Sequence, residues 1–277
     1  MNSLSEKLME VDALQKRIDS HGLLGTELLK KIDYFFRWEW NFTSNSMEGN
    51  TLTRDETRSV MIGNITVSGK PLKDILEVKG HDDVVIEILK MGKGELNISE
   101  KRIRQMHKAI MYETDPEKRD MIGVWKRQPN YLYNYKNERF DFVSPADVPG
   151  RMHSLMNELS SEKEKIHNQS KKAMHPVLLP FRFHLEFVSI HPFYDGNGRM
   201  SRILTNIILI AYGYPPIYIK ENEKEIYYQY LGDIQGYGGD TELFYGFMAD
   251  LLMRSQRIFL AAIDGRVEME IFNSNNT

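Results

Sequence analysis

The side chains best able to do chemistry fall within twelve consecutive residues, His191-Pro192-Phe193-Tyr194-Asp195-Gly196-Asn197-Gly198-Arg199-Met200-Ser201-Arg202. An apolar helix is expected to end near Ile190, and Pro192 discourages its continuation. Gly196 and Gly198 bracket Asn197 and can adopt positive φ, which turns successive N–H groups toward one point, an anion nest. A second helix should open there, so its unpaired N–H groups and positive dipole end face the same point and suit a phosphate. Arg199 and Arg202 are three apart, on neighbouring positions of one helical face, and two guanidinium forks favour a polyphosphate over a single phosphate. Asp195 offers one carboxylate at the rim, the ordinary protein share of a Mg²⁺ site completed by phosphate oxygens and water. His191, with an ordinary pKa of about 6.5, can remove a proton from a hydroxyl near neutral pH. A lone Gly-x-Gly or a lone His is usually structural; base, carboxylate, nest and two cations in sequence describe phosphoryl or nucleotidyl transfer.

The elements that must position these groups are helical. Leu4, Leu8, Val11, Leu14 and Ile18 form one amphipathic stripe, with Gly22 as its stop. Thr26 is expected to cap a second helix through Leu28, Leu29, Ile32, Phe35 and Trp38, and Thr53 with Glu56 to form a capping box for a third. Pro71 should begin a fourth helix that Gly92-Lys93-Gly94 ends, and Ser99 should cap a fifth carrying Ile103, Met106, His107 and Ile110. Between Gly123 and Val143 aromatic and β-branched residues gather, predicting a small β-hairpin with Asn137 in its turn. Further helices are expected near 145–159, 178–189, 199–211, 223–235 and 241–263. The fold class is therefore mainly α with one hairpin, and the tail 273–277 should fray.

Composition narrows the function. With 36 Lys+Arg against 39 Asp+Glu, the chain has no bulk charge for coating nucleic acid or an anionic membrane. The absence of Cys excludes disulfides, thiolate metal sites and a cysteine nucleophile. No run approaches the ~18 apolar residues of a membrane span, and the N-terminus lacks a secretory layout, so a cytoplasmic protein is expected. His107, His153, His167 and His175 have no metal-ligand spacing and are expected to be surface or packing residues.

The twelve residues resemble the signature of the Fic-domain family, His-Pro-Phe-x-Asp-Gly-Asn-Gly-Arg-x-x-Arg, at every specified position, and the resemblance extends over roughly Ile98 to Leu251. It implies a Fic-type helical bundle with a hairpin flap, divided into an N-terminal helical region (1–97), a Fic core (98–265) and a tail (266–277). It also implies transfer of AMP from ATP to a hydroxyl side chain of a protein target. His191 would be the base and Asp195 the Mg²⁺ ligand. Asn197 and the backbone of Gly196 and Gly198 would hold the α-phosphate region, and Arg199 and Arg202 the outer phosphates. Ser44-Asn45-Ser46-Met47-Glu48-Gly49-Asn50, on its own a helix end, resembles the family's inhibitory motif. Glu48 would then pair with Arg202, with Ser44 and Gly49 completing the motif. Gly123-x-Trp125-Lys126 and Ser144-Pro145 resemble the flanks of the target-binding flap, putting its strand at Asn130-Tyr131-Leu132-Tyr133; Lys126 stands where relatives often have Arg. Tyr227 and Gln235 fall where the family contacts adenine. Removal of AMP with the help of Glu48, or a nucleotide-sensing module without turnover, are the alternative activities. The partners implied are ATP, a protein target and a second copy that buries part of the N-terminal helices; neither nucleic acid nor membrane is implied.

Overall fold

The computed structural model describes residues 2–22, 25–63, 67–90, 94, 96, 98–133 and 137–265. Helix α1 (Leu4–Ser20) opens on a capping box in which the Ser3 hydroxyl and the Glu6 carboxylate each accept the other's backbone N–H. In α2 (Thr26–Met47) Gly25 is the N-cap and Thr26 is already helical, so the cap lies one residue earlier than expected. The Thr53–Glu56 capping box before α3 (Arg54–Gly63) is formed, with bonds of 2.8 and 3.3 Å. Pro71 precedes rather than begins α4 (Leu72–Leu89), and Ser99 caps α5 (Glu100–Ile110). Gly92 and Lys93, expected to end α4, and the tail from 266 lie outside the described residues.

A single turn, α6 (Pro116–Arg119), was not signalled by any apolar stripe; its Asp115 cap and Pro116 start account for it locally. Strands β1 (Tyr131–Tyr133) and β2 (Arg139–Asp141) pair antiparallel with Leu132 opposite Phe140, and Asn137 takes φ +60°. Then follow α7 (Val148–His167), α8 (Leu178–Ile190), α9 (Asn197–Ala211), α10 (Lys224–Tyr237) and α11 (Thr241–Ile263). Helix α7 runs eight residues past the expected Leu159, because Ile166 continues its apolar side while a Glu162–Lys165 pair supports the polar turn between.

The α8–α9 pair is the centre of the molecule, and most residues of both helices are buried, including the polar Arg199, Ser201, Arg202, Thr205 and Asn206 of α9. One core joins them to α2, α4, α5 and α7 through Phe36, Trp40, Val85, Ile103, Met152, Phe187, Ile203 and Ile207. A second core joins α8 to α1, α10 and α11 through Val11, Leu14, Phe181, Tyr227, Phe244 and Leu252. Helix α1 is further tied to α11 by Lys7–Asp250 at 2.5 Å and by the Gln256 amide on the Val11 carbonyl. The N-terminal helices thus share cores with the rest of the chain. Among the described residues no helix is long and apolar enough to cross a membrane.

Gly80 marks a close approach of α4 to α5. A Cβ there would lie 1.9 Å from the Ala109 carbonyl oxygen, which is backbone and cannot step aside. Gly80→Ala should therefore lower the midpoint of urea unfolding followed by circular dichroism, by about 1–3 kcal/mol of stability, the usual cost of overpacking. An unchanged midpoint would show that the two helices are not this close.

Candidate active site

His191 closes α8 in the left-handed conformation (φ 52°, ψ 60°), with its N–H still bonded to the Phe187 carbonyl at 3.0 Å. That conformation is uncommon for a side chain other than Gly or Asn and turns the chain sharply out of the helix. The ring stacks on Phe142, just past β2, at 3.8 Å between centroids, and Nδ1 lies 3.3 Å from the Val188 carbonyl oxygen. A carbonyl only accepts, so Nδ1 carries the hydrogen and Nε2 of the neutral ring is left as an acceptor. Burial drives the His191 pKa down to about 4; the Val188 carbonyl opposes this, the Lys126 ammonium reinforces it, and the Glu48 and Asp195 carboxylates oppose it more weakly. The ring is therefore neutral at pH 7, as a general base must be.

The loop after His191 is held from below by α5. Phe193 stacks face to face on His107 at 3.7 Å. His107 Nδ1 accepts the Gly123 N–H at 2.9 Å, so its Nε2–H donates to the Asp195 carbonyl at 2.8 Å. Buried and driven down to a pKa of about 4 by desolvation, His107 keeps both bonds at neutral pH. It was expected only to pack or to lie on the surface; its place on the apolar stripe with Ile103, Met106 and Ile110 concealed a polar role. Gly196 (φ +77°) crosses this floor so closely that a Cβ would lie 2.6 Å from Met111 Sδ.

Asn197 differs from the expectation that its side chain holds phosphate. Its amide accepts the Phe193 N–H and donates to the Phe193 carbonyl, both at 2.9 Å, so both ends of the amide brace the loop. Asp195 is exposed, with Oδ1 accepting the Gly196 N–H at 2.6 Å. Helix α9 starts at Asn197 with no capping side chain, which leaves its first amides available to an anion.

The two arginines part company. Arg202, 6% exposed, donates from Nε to the Ser44 hydroxyl at 3.0 Å, and from Nη2 to the Ser44 carbonyl at 3.0 Å and Glu48 Oε1 at 2.7 Å. Arg199 instead meets Glu77 of α4 at 2.7 Å, with both side chains buried. Glu48 is the residue after the last turn of α2, and Gly49 (φ +89°) ends that helix. A Cβ on Gly198 would lie 2.4 Å from Glu48 Oε1, so the carboxylate rests against the first turn of α9.

A cavity of about 940 Å³ opens beside these groups. Of the residues singled out from sequence, its wall includes Glu48, Leu132, Tyr133, His191, Gly198, Tyr227 and Gln235; Tyr228 and Phe142, the ring stacked on His191, also line it. Asp195, Gly196, Asn197, Arg199 and Arg202 are not on this wall; Glu77 holds Arg199, the Phe193 backbone holds Asn197, and Ser44 and Glu48 hold Arg202. Asn130 also differs from the expected strand tip: it accepts from Lys126 Nζ at 2.5 Å and donates to the Phe193 carbonyl at 3.0 Å, anchoring the hairpin to the loop. Lys126 is buried, which lowers its pKa to about 8. Tyr131 lies outside the cavity, half exposed, with the Arg139 guanidinium 4.1 Å from its ring centre. Among the described residues β1 pairs on one edge only.

Residues 97–209 match the family model described as "Fic/DOC family". The chain is 30% identical over 267 residues to "Protein adenylyltransferase Fic" of Drosophila melanogaster, covering 95% of this chain and 50% of that protein. The protein of the same name in Drosophila virilis is 32% identical over 233 residues, 84% of this chain and 44% of its own. The chain thus spans about half the length of the curated relatives it matches. A solved Fic domain containing signaling protein from Bacteroides thetaiotaomicron superposes with TM-score 0.81 at 29% identity, covering 94% of this chain and 97% of that one. Fic-1 of C. elegans, at 23% identity and TM-score 0.75 over 95% and 73% of the two chains, shares the fold. Residues 97–209 thus carry a domain of the Fic/DOC family.

Proposed function

We propose that the protein transfers AMP from ATP to a hydroxyl side chain of a protein target. The observation that carries this reading is a neutral His191 with Nε2 free to accept, on the wall of a cavity that also reaches the uncapped start of α9. The names of the Drosophila relatives support the same reaction. His191 Nε2 takes the proton of the target hydroxyl as its oxygen bonds to the α-phosphorus. The bond from that phosphorus to the bridging oxygen breaks, and pyrophosphate leaves with the electron pair. The first amides of α9 stabilise the phosphate oxygens, on which negative charge is greatest in the transition state.

Asp195 fits Mg²⁺: it is exposed, at the rim of the anion seat, and a single carboxylate is the usual protein contribution beside phosphates and waters. Among the described residues no group of three His, Asp or Glu side chains could hold a metal alone, so the substrate's phosphates would complete the site. Bound there, the ion would neutralise phosphate charge. The open edge of β1 suits a target segment adding as a third strand next to His191.

Glu48 restrains this reaction in two ways. Its carboxylate occupies space beside Gly198 in the first turn of α9, where phosphate would sit, and it holds the guanidinium that would meet the outer phosphate. Because Glu48 shares the cavity wall with His191, hydrolytic removal of AMP from a modified target is a second activity of the same site.

Intact mass spectrometry after incubation with Mg²⁺ and ATP should show at least about tenfold more AMP on the Glu48→Gly protein or its target than on the parent. Adding His191→Ala should reduce transfer by about 100-fold or more, the usual worth of a general base. Equal labelling by the parent and Glu48→Gly proteins would refute the restraint. The depressed pKa has a definite sign: the neutral ring is the active form, so lowering the pKa extends activity downward in pH. The kcat/KM of Glu48→Gly should hardly change between about pH 7.5 and 5.5, and fall only near about pH 4. An acid limb centred near about 6.5 would show a solvated, unperturbed ring.

A further inference from the structure

Lys126 takes no step in the transfer above, yet its side chain is a cation almost wholly out of water, with the residue 4% exposed. Among the described residues no carboxylate forms an ion pair with it, and desolvation lowers its pKa to about 8. A buried charge without a counter-ion works against folding, so an apolar chain of similar length would serve packing better. What the ammonium does is shown by what it touches. Nζ donates to Asn130 Oδ1 at 2.5 Å and stands 5.8 Å from the centre of the Phe142 ring.

These bonds can run in one direction only. An ammonium cannot accept and a carbonyl cannot donate, so Asn130 Oδ1 faces Lys126 and Nδ2 faces the Phe193 carbonyl, 3.0 Å away. An apolar residue at position 126 would remove the donor that selects this orientation. The Asn130 backbone carbonyl meanwhile accepts the Phe142 N–H at 3.2 Å, and the Phe142 ring covers His191 at 3.8 Å between centroids. The Phe193 carbonyl takes a second bond, at 2.9 Å, from the Asn197 amide at the start of α9. One asparagine thus joins the hairpin, the ring on the base and the loop before α9, and one ammonium sets which way its amide lies. We propose that Lys126 is a positioning residue for the hairpin: through Asn130 its ammonium holds β1 in place beside His191, where the target hydroxyl is presented. This inference rests on the reading that a target segment adds to β1.

Hydrogen exchange followed by mass spectrometry on the full Glu48→Gly chain at pH 7 tests it, beside AMP incorporation and calorimetry with ATP and Mg²⁺. Adding Lys126→Met, which keeps an unbranched stem and removes the charge, should speed exchange in residues 131–133 and 139–142 by about tenfold. That is the scale of one charge-assisted hydrogen bond, and α8 and α9 should exchange as in the parent. AMP incorporation should fall by a similar factor while the affinity for ATP is unchanged. Lys126→Arg, again a donor-only cation, should restore most of both. Asn130→Leu should match Lys126→Met, and the double variant should be no worse than either, because all three break one linkage. Unchanged exchange in the hairpin would show that the ammonium holds nothing there. Faster exchange spread through α8 and α9, a loss of ATP affinity, or additive losses in the double variant would make Lys126 a packing residue. A loosened hairpin with undiminished AMP incorporation would overturn the positioning role and leave AMP transfer intact. A Glu48→Gly chain that binds no ATP or takes up no AMP overturns the proposed function, and exchange in the hairpin then decides the fixing role of Lys126 alone.

Discussion

Arg202 is almost entirely out of water and, as an arginine, cannot give up its proton. A buried permanent cation needs an anion in every state of the molecule, since leaving it alone costs several kcal/mol. In the structure described that anion is Glu48. In the proposed reaction it is a phosphate. In that reading the two anions would compete for one guanidinium and for the same turn of α9, and restraint and catalysis would be alternative solutions to a single electrostatic demand. The Glu48 carboxylate sits at the end of α2, whose Phe36 and Trp40 are embedded in the core shared with α8 and α9. It is therefore part of the packed molecule.

The other ionic contact of α9 is of a different kind. Arg199 and Glu77 are both buried, and desolvation alone would raise the Glu77 pKa, which the guanidinium beside it opposes. Both arginines of α9 thus find their carboxylates in helices N-terminal to the Fic domain, one in α4 and one at the end of α2. The first 97 residues supply counter-charges as well as apolar surface to the residues that follow.

Much of this was legible in the residues themselves. Apolar periodicity gave α8, α9, α10 and α11 to within a few positions but ended α7 eight residues early, while Ser99, Thr53 and Glu56 cap as their chemistry dictates. The signature gave His191, and the family resemblance gave Glu48; the two share a cavity wall. Spacing along one helix could not say which neighbour a side chain would meet. Arg199 and Arg202 are adjacent on α9, yet they diverge because α4 and α2 approach that face from different sides. The Asn197 side chain turns back onto Phe193 because the loop closes on itself there, a contact set by three-dimensional path. His107 was hidden for the same reason. Its partners are backbone groups far away in sequence, and an imidazole on an apolar stripe looks like filler until those partners arrive.

The hairpin is not an independent lid. The Lys126 N–H bonds to the Pro192 carbonyl, Asn130 bonds to Phe193, and Phe142 stacks on His191, so β1 and the imidazole share one rigid frame. A strand that pairs with β1 would then be measured against the base as if by a ruler. Successive residues of that strand alternate between facing the imidazole and facing away, and a slip of one position reverses the choice. Selection of the modified hydroxyl would follow from its place along the docked strand, and an identical side chain one step away would be passed over.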